Sequence, residues 1–403
     1  MNALALRARW VLPVEQPPIA NGFVAVADGR IVAVGKWNHG AGPFTDLGDV
    51  VLLPGLVNAH VHLEFSALAR PLGWPGIDLP AWIQLVIAER KRSDRDPAAS
   101  IAAGLKESLA AGVTAVGEIA TSSAELYARS AGLTTVLFQE AIGFSAGRVD
   151  SVFADVERRF DAARPPAGLS PHAPYTVHPQ LLQRMVDFAH RRNIPVAMHL
   201  AESREELQLL ARGDGAFRDL LIMRSMWDEA AIPRGSRPLD YLKMLASAPR
   251  TLVVHGNYLA ADEIEYIAAC GGRMSVVYCP RTHAWFQHED YPLRVMLGAG
   301  VRVVLGTDSR ASNPDLGLLD ELRFMVRLHP AVERQQALRM ATIDAAAALG
   351  LNGSIGSLAP GKRADLAAIP CPGHDDPYEA VLADGARPVQ TWLAGRPVGA
   401  LPG

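Results

Sequence analysis

The sequence predicts an α/β protein: a (β/α)8 TIM barrel with a small β-sandwich domain built from both chain termini. Three observations carry this expectation. From residue 54 onward, strand-like apolar runs alternate with helix-period segments, the pattern of βα units and a parallel sheet. Eight such units can be counted, the number that closes a barrel, although counting alone leaves a doubly wound open sheet as the alternative. Both ends of the chain are instead turn-rich and β-like, each too short to bury a core alone, so they are expected to pair with one another. The expected boundaries are 1–53 for the N-terminal part of the sandwich, 54–355 for the barrel and 356–403 for the C-terminal part.

Taken in order, residues 22–35 read as a hairpin, with Asp28-Gly29 as the turn between two apolar runs. The first barrel strand is the run Leu53–His62, followed by a helix over Ser100–Ala111. Strands two to four are expected at 112–117, 133–138 and 168–172. A helix from Pro179 to Arg192 stops near Asn193, and strand five covers 195–199. After a mostly helical excursion come strands six (251–255), seven (274–278) and eight (301–308). A helical stretch, Arg334–Leu349, precedes the turn-rich run 356–366 and a last strand-like segment, 389–393.

Composition narrows the function classes. The 403 residues are 49% hydrophobic and 20% charged with a net charge of −3, which gives no electrostatic reason to expect nucleic acid or an anionic membrane as partner. No apolar run approaches the ~20 residues needed to span a bilayer. The segment 1–14 carries Arg7 and Arg9 inside its apolar stretch and lacks a signal-peptide plan. Three scattered cysteines do not make a disulfide framework, and a cytoplasmic location is expected.

The chemistry-bearing residues cluster where strand-like segments end: His60, His62, His172, His199, His255 and Asp308. His60 and His62 stand two apart, and side chains at that spacing leave a strand on the same side. In a parallel barrel the C-terminal strand ends share one mouth, where active sites sit. Several imidazoles and a carboxylate there make a mixed N/O site suited to one divalent ion, Zn²⁺ first and Fe²⁺ second. Other metal plans fit worse. His62-Leu63-Glu64 matches half of a second zinc-deaminase signature, but no Pro-Cys-x-x-Cys follows.

The motifs Pro54–His62, His199-Leu200-Ala201-Glu202, Val254-His255-Gly256 and Gly306-Thr307-Asp308-Ser309 resemble the amidohydrolase superfamily. More narrowly they resemble its mononuclear branch of cytosine, adenosine-type and aminofutalosine deaminases and triazine hydrolases. The likeness runs through Ile355–Leu366, so it covers nearly the whole chain. It implies the barrel with a split sandwich, a small-molecule substrate and often a homodimer. It makes His60, His62, His199 and Asp308 the metal ligands, places His255 beside the attacking water and makes Glu202 the proton shuttle. Binuclear relatives carry a bridging lysine commonly at the end of strand four; here that segment reads Ser170-Pro171-His172, which favours a single ion. Such an ion lowers the pKa of water from ~15.7 to about 7, on the order of 12 kcal/mol in ionisation free energy.

On the substrate side, His62–Ser66 and Leu79–Ile83 look most like the aminofutalosine deaminases of the menaquinone route. That likeness makes 6-amino-6-deoxyfutalosine, deaminated to futalosine and ammonia, the first substrate to consider. Glu64 or Glu89 could bind ribose hydroxyls and His172 the purine. Arg148 or Arg310 could pair with a substrate carboxylate through a bidentate fork, and His283 is a further candidate contact. His39, His190, His329 and His374 carry no role. Alternatives are hydrolysis of a ring amide or carbon–halogen bond at the same site, or a barrel that only binds.

Overall fold

The structure is a computed structural model that describes residues 4–38, 44–92, 96–127, 132–162 and 167–398; His39 lies outside them. Two eight-stranded sheets organise it. The barrel strands are β1 (Leu56–Val61), β2 (Val113–Ala120), β3 (Thr134–Ala141), β4 (Ala167–Pro171), β5 (Val196–Leu200), β6 (Thr251–His255), β7 (Met274–Tyr278) and β8 (Arg302–Leu305). Neighbours pair in parallel in sequence order from β1 to β8. The seam between β8 and β1 is drawn together just beyond β8. There Thr307 and Asp308 each donate a backbone N–H to the His60 carbonyl at 3.1 Å, and Val61 bridges Asp308. This is the (β/α)8 barrel.

The barrel strands are buried on both faces, as parallel sheets under helices must be. In β6, Leu252 and Val254 enter a core with Val57, Phe138, Val304 and Leu349. Val253, between them, joins the larger core against the outer helices. The seam also explains a glycine. A Cβ on Gly306 would stand 2.9 Å from the His60 Cβ and 3.0 Å from both the His60 carbonyl and Val277, so a side chain enters there only if the seam shifts.

The two chain ends meet as expected, and they do so as one continuous hydrogen-bonded sheet. Its central junction is the antiparallel pair Val50–Pro54 with Leu366–Pro370. The predicted first barrel strand is therefore two strands. Val50–Pro54 belongs to the terminal sheet, Leu56–Val61 belongs to the barrel, and Gly55 turns the chain between them where a Cβ would stand 2.2 Å from the Thr114 hydroxyl. The Asp28-Gly29 turn joins strands Ile19–Ala27 and Arg30–Lys36, both turn residues having positive φ. Strands β2 and β3 run about three residues further than sequence patterning shows, to Ala120 and Ala141, because polar Glu118, Gln139 and Glu140 continue the ladder. The Pro179–Arg192 helix matches its expected bounds. Pro179 opens it and Asn193 closes it at φ +53°. The stretch 334–349 is two helices, Arg334–Met340 and Ile343–Leu349, broken at Ala341-Thr342.

Candidate active site

The C-terminal ends of β1, β5, β6 and β8 place His60, His62, His199, His255 and Asp308 in one cluster. Two triplets meet: His60 with His199 and His255, and His60 with His62 and Asp308, the donor atoms in each lying within 4.8 Å of one another. The His60 and His62 Nε2 atoms each stand 3.7 Å from Asp308 Oδ1. His60 is fully buried, yet among the described residues neither of its ring nitrogens has a hydrogen-bond partner, nor has His62 Nδ1. Orphaned buried nitrogens are costly in a folded protein unless something else pairs with them. A divalent ion would pair with them, and the mixed imidazole–carboxylate set has the right chemistry for it. The His199 ring is oriented by its Nδ1, 2.9 Å from the His172 carbonyl, which leaves Nε2 as the free ligand atom. Burial, reinforced by neighbouring imidazoles, holds His62, His199 and His255 well below the usual histidine pKa. Neutral rings are the form a cation requires.

Backbone strain concentrates here. Ala201, His255 and Asp308 occupy the left-handed region at φ +53°, +69° and +56°. Non-glycine residues there cost on the order of 1–3 kcal/mol each and persist where the surroundings enforce them. The consequence is clearest at His255. Strand alternation would send it to the outer face with Val253; the left-handed turn brings its ring within 5.7 Å of His60 and 5.5 Å of His199 instead.

Glu202 follows β5, and its Oε1 lies 3.4 Å from His255 Nε2. It is 5% exposed. Burial first, then the Asp308 and Glu206 charges, push its carboxyl well above the ordinary range. Asp308 Oδ2 accepts from the Ser312 hydroxyl at 3.0 Å, which fixes its second oxygen.

A cavity of about 310 Å³ opens onto this cluster, with His62, His172, His199, Glu202, His255 and Asp308 in its lining. One wall is apolar, formed by Trp82, Ile83 and Val86 of the helix Leu79–Arg90 with Phe217 and Leu221 of the helix Ala216–Met223. His172 Nδ1 is 2.7 Å from the Thr176 hydroxyl, and its Nε2 is 3.9 Å from Glu140.

The other sequence candidates lie outside this lining. Glu64 sits behind it, accepting the backbone N–H groups of Thr121 and Ser122 at 3.0 and 2.6 Å and facing Arg90. Glu89 pairs with Arg92 at 3.5 Å. Arg148 is exposed in a short turn of helix before Val149. Arg310 is held by Glu107 and the Leu68 carbonyl. His283 is buried against Tyr278 and Tyr291, burial lowering its pKa to about 4. Conversely, Arg90, Thr121, Glu140 and Arg224 line the cavity without having been singled out. Only Glu140 left a legible signal, as a carboxylate at the true end of β3.

A family model described as the amidohydrolase family matches residues 51–398. A 5-methylthioadenosine/S-adenosylhomocysteine deaminase of Moorella thermoacetica is 30% identical over 394 residues, 91% of this chain and 85% of that protein. An aminodeoxyfutalosine deaminase of Nitratiruptor sp. is 29% identical over 366 residues, covering 86% of each. Among solved structures, an adenosine deaminase from Xanthomonas campestris with bound zinc superposes with a TM-score of 0.81 at 27% identity, covering 99% of this chain and 93% of that one. The chain belongs to the amidohydrolase family and is a hydrolase of carbon–nitrogen bonds.

Proposed function

We propose that the protein is a metal-dependent deaminase of 6-aminopurine nucleosides, with 6-amino-6-deoxyfutalosine as its substrate and menaquinone biosynthesis as its setting. The observation that carries the reaction class is Glu202. It is a buried carboxyl, 3.4 Å from His255, on the wall of a cavity that ends at the histidine–aspartate cluster. His60, His62, His199 and Asp308 would hold one divalent ion, zinc first, with His255 beside it. When bound, such an ion acts as a Lewis acid that brings the pKa of water near neutrality.

The chain's own residues then account for the proton traffic. Glu202 takes a proton from the attacking water and delivers it to purine N1, which makes C6 electrophilic. Burial holds its pKa above the ordinary carboxylate range, as suits a group that must deliver a proton as well as accept one. His255 and Asp308, each fixed by a left-handed backbone turn, orient the water toward C6. The remaining proton of that water leaves the oxygen added at C6 and passes to the amino group, the C6–N bond breaks as the C6 carbonyl forms, and the products are the 6-oxopurine and ammonia. His172 faces the cavity with Nε2 unclaimed at hydrogen-bond distance by any described residue, which suits a contact to the purine.

The apolar wall supports a nucleoside whose 5′ side is extended by an apolar group. Two tails fit that description. Arg224 lines the cavity, is exposed and makes no ion pair among the described residues, which supports a tail ending in a carboxylate, as in 6-amino-6-deoxyfutalosine. The identity to a methylthioadenosine/S-adenosylhomocysteine deaminase supports thioether tails as the second reading. Ammonia release from these three nucleosides and adenosine, with cytosine and a chlorotriazine as outsiders, separates them. A higher kcat/KM for 6-amino-6-deoxyfutalosine is expected. Preference for a thioether nucleoside would move the substrate and keep the reaction. Chloride release, or ring opening without ammonia, would overturn the reading.

A further inference from the structure

The sequence Ser203-x-x-Glu206 reads as an ordinary capping box at the start of the helix Arg204–Arg212. Ser203 does cap that helix, its hydroxyl accepting the Glu206 N–H at 3.2 Å. The Glu206 carboxylate, however, reaches back beyond the helix. Oε1 accepts the Ala201 N–H and Oε2 the Glu202 N–H, both at 2.9 Å. Glu206 is fully buried, a position a carboxylate holds only when well bonded. The two N–H groups converge because Ala201 is left-handed, and successive amides in such a turn form an anion-binding concavity. Here the anion belongs to the chain itself.

The other end of the Glu202 residue is held as well. Asn257, buried after β6, donates its side-chain amide to the Glu202 carbonyl at 2.9 Å. Gly256 and Tyr258 donate backbone N–H groups to Leu200 and Ala201 at 3.0 Å, so the strand ends of β5 and β6 are laced together around Glu202. His255, the neighbour of its carboxyl, is the last residue of β6 and precedes this lacing.

We propose that Glu206 is a positioning residue that acts through Glu202. With Asn257 it clamps both peptide ends of Glu202 and so fixes that carboxyl against His255. The inference rests on the proton-carrying role proposed for Glu202. A helix cap would stabilise the fold without regard to Glu202; a clamp makes its contribution through Glu202 alone.

The test uses the metal-loaded variants E206Q and N257A, each also built into an E202Q background. In the wild-type background each lowers kcat by about tenfold or more, as expected for a displaced catalytic group, with KM and metal content within about twofold. In the E202Q background the same changes alter the residual kcat by less than about twofold, since the group they position is already disabled. Equal losses in both backgrounds, or unchanged kcat in the wild-type background, would overturn the proposal. Should E206Q not fold, N257A carries the test alone.

A second readout needs no substrate. The infrared carboxyl band absent in E202Q reports Glu202; E206Q and N257A are expected to shift or broaden it, and an unmoved band would count against the clamp. If the wild-type enzyme releases no ammonia from any nucleoside, the proposed function has failed, and this band alone decides the clamp.

Discussion

Replacing Glu202 by glutamine removes one ionisable oxygen and changes almost nothing else. The side chain keeps its length, its backbone remains bonded through Glu206 and Asn257, and none of the five clustered ligand candidates is altered. Metal content should therefore be unchanged. On the proposed mechanism, what is lost is the group that moves a proton between water and purine N1. General acid–base catalysis of this kind contributes ~10²–10⁴-fold, or about 2.7–5.4 kcal/mol of barrier. The upper part of that range is expected, because the carboxyl is 5% exposed and solvent water is poorly placed to replace it. The loss should fall on kcat, with KM within a few-fold, since the proposal has the cavity wall, and not this proton, bind the purine. The assay is continuous ammonia release with metal measured on the same samples. Wild-type kcat in a metal-replete E202Q enzyme would refute the reasoning.

Other perturbations test separate links. His199→Ala should lose metal and activity together; metal retained at the wild-type level would remove His199 from the ligand set. Gly306→Ala forces a methyl against His60 and Val277 at the barrel seam, and overpacking there should cost ~1–3 kcal/mol, read as a lower denaturation midpoint; an unchanged midpoint would mean the seam has room. Arg281→Ala strands Glu321, a fully buried carboxylate that Arg281 holds at 2.7 Å, and should destabilise the fold by about 3–5 kcal/mol. A loss below ~1 kcal/mol would contradict that pairing. The last concerns pH. Burial raises the Glu206 carboxyl from an ordinary 4.5 to about 7. A carboxyl raised on folding contributes stability below pH 4.5 that is lost as pH rises through 7, on the order of 3 kcal/mol in all. The stability difference between wild type and E206Q should therefore shift against the wild type between pH 5 and 8, and a pH-independent difference would sink the assignment.

The barrel was legible because its strands are short apolar runs bounded by turn signals, and β6 and β7 match their expected limits. Strand ends were harder. Glu118, Gln139 and Glu140 look like loop residues by polarity, and only the parallel ladder keeps them in strand. That is why Glu140 was passed over. The histidines and Asp308 could be read from position alone, since residues at C-terminal strand ends converge on one mouth. The left-handed turns at Ala201, His255 and Asp308 could not, because non-glycine residues seldom adopt them and nothing local announces them. Substrate contacts were the least legible part. Arg310 and Arg148 offered the right charge, but Arg310 is engaged by Glu107 and Arg148 stands exposed away from the cavity lining. The lining instead draws Arg90 from the helix at residues 79–90 and Arg224 from just beyond the helix at 216–223, segments whose approach to the barrel mouth is set by tertiary packing.

The most direct test of the account is a metal titration of stripped enzyme, with ammonia release from 6-amino-6-deoxyfutalosine as the readout. The account predicts no turnover without metal, and activity that rises with added zinc and breaks at one ion per chain. Turnover by the metal-free protein, or a break at two ions, would contradict it.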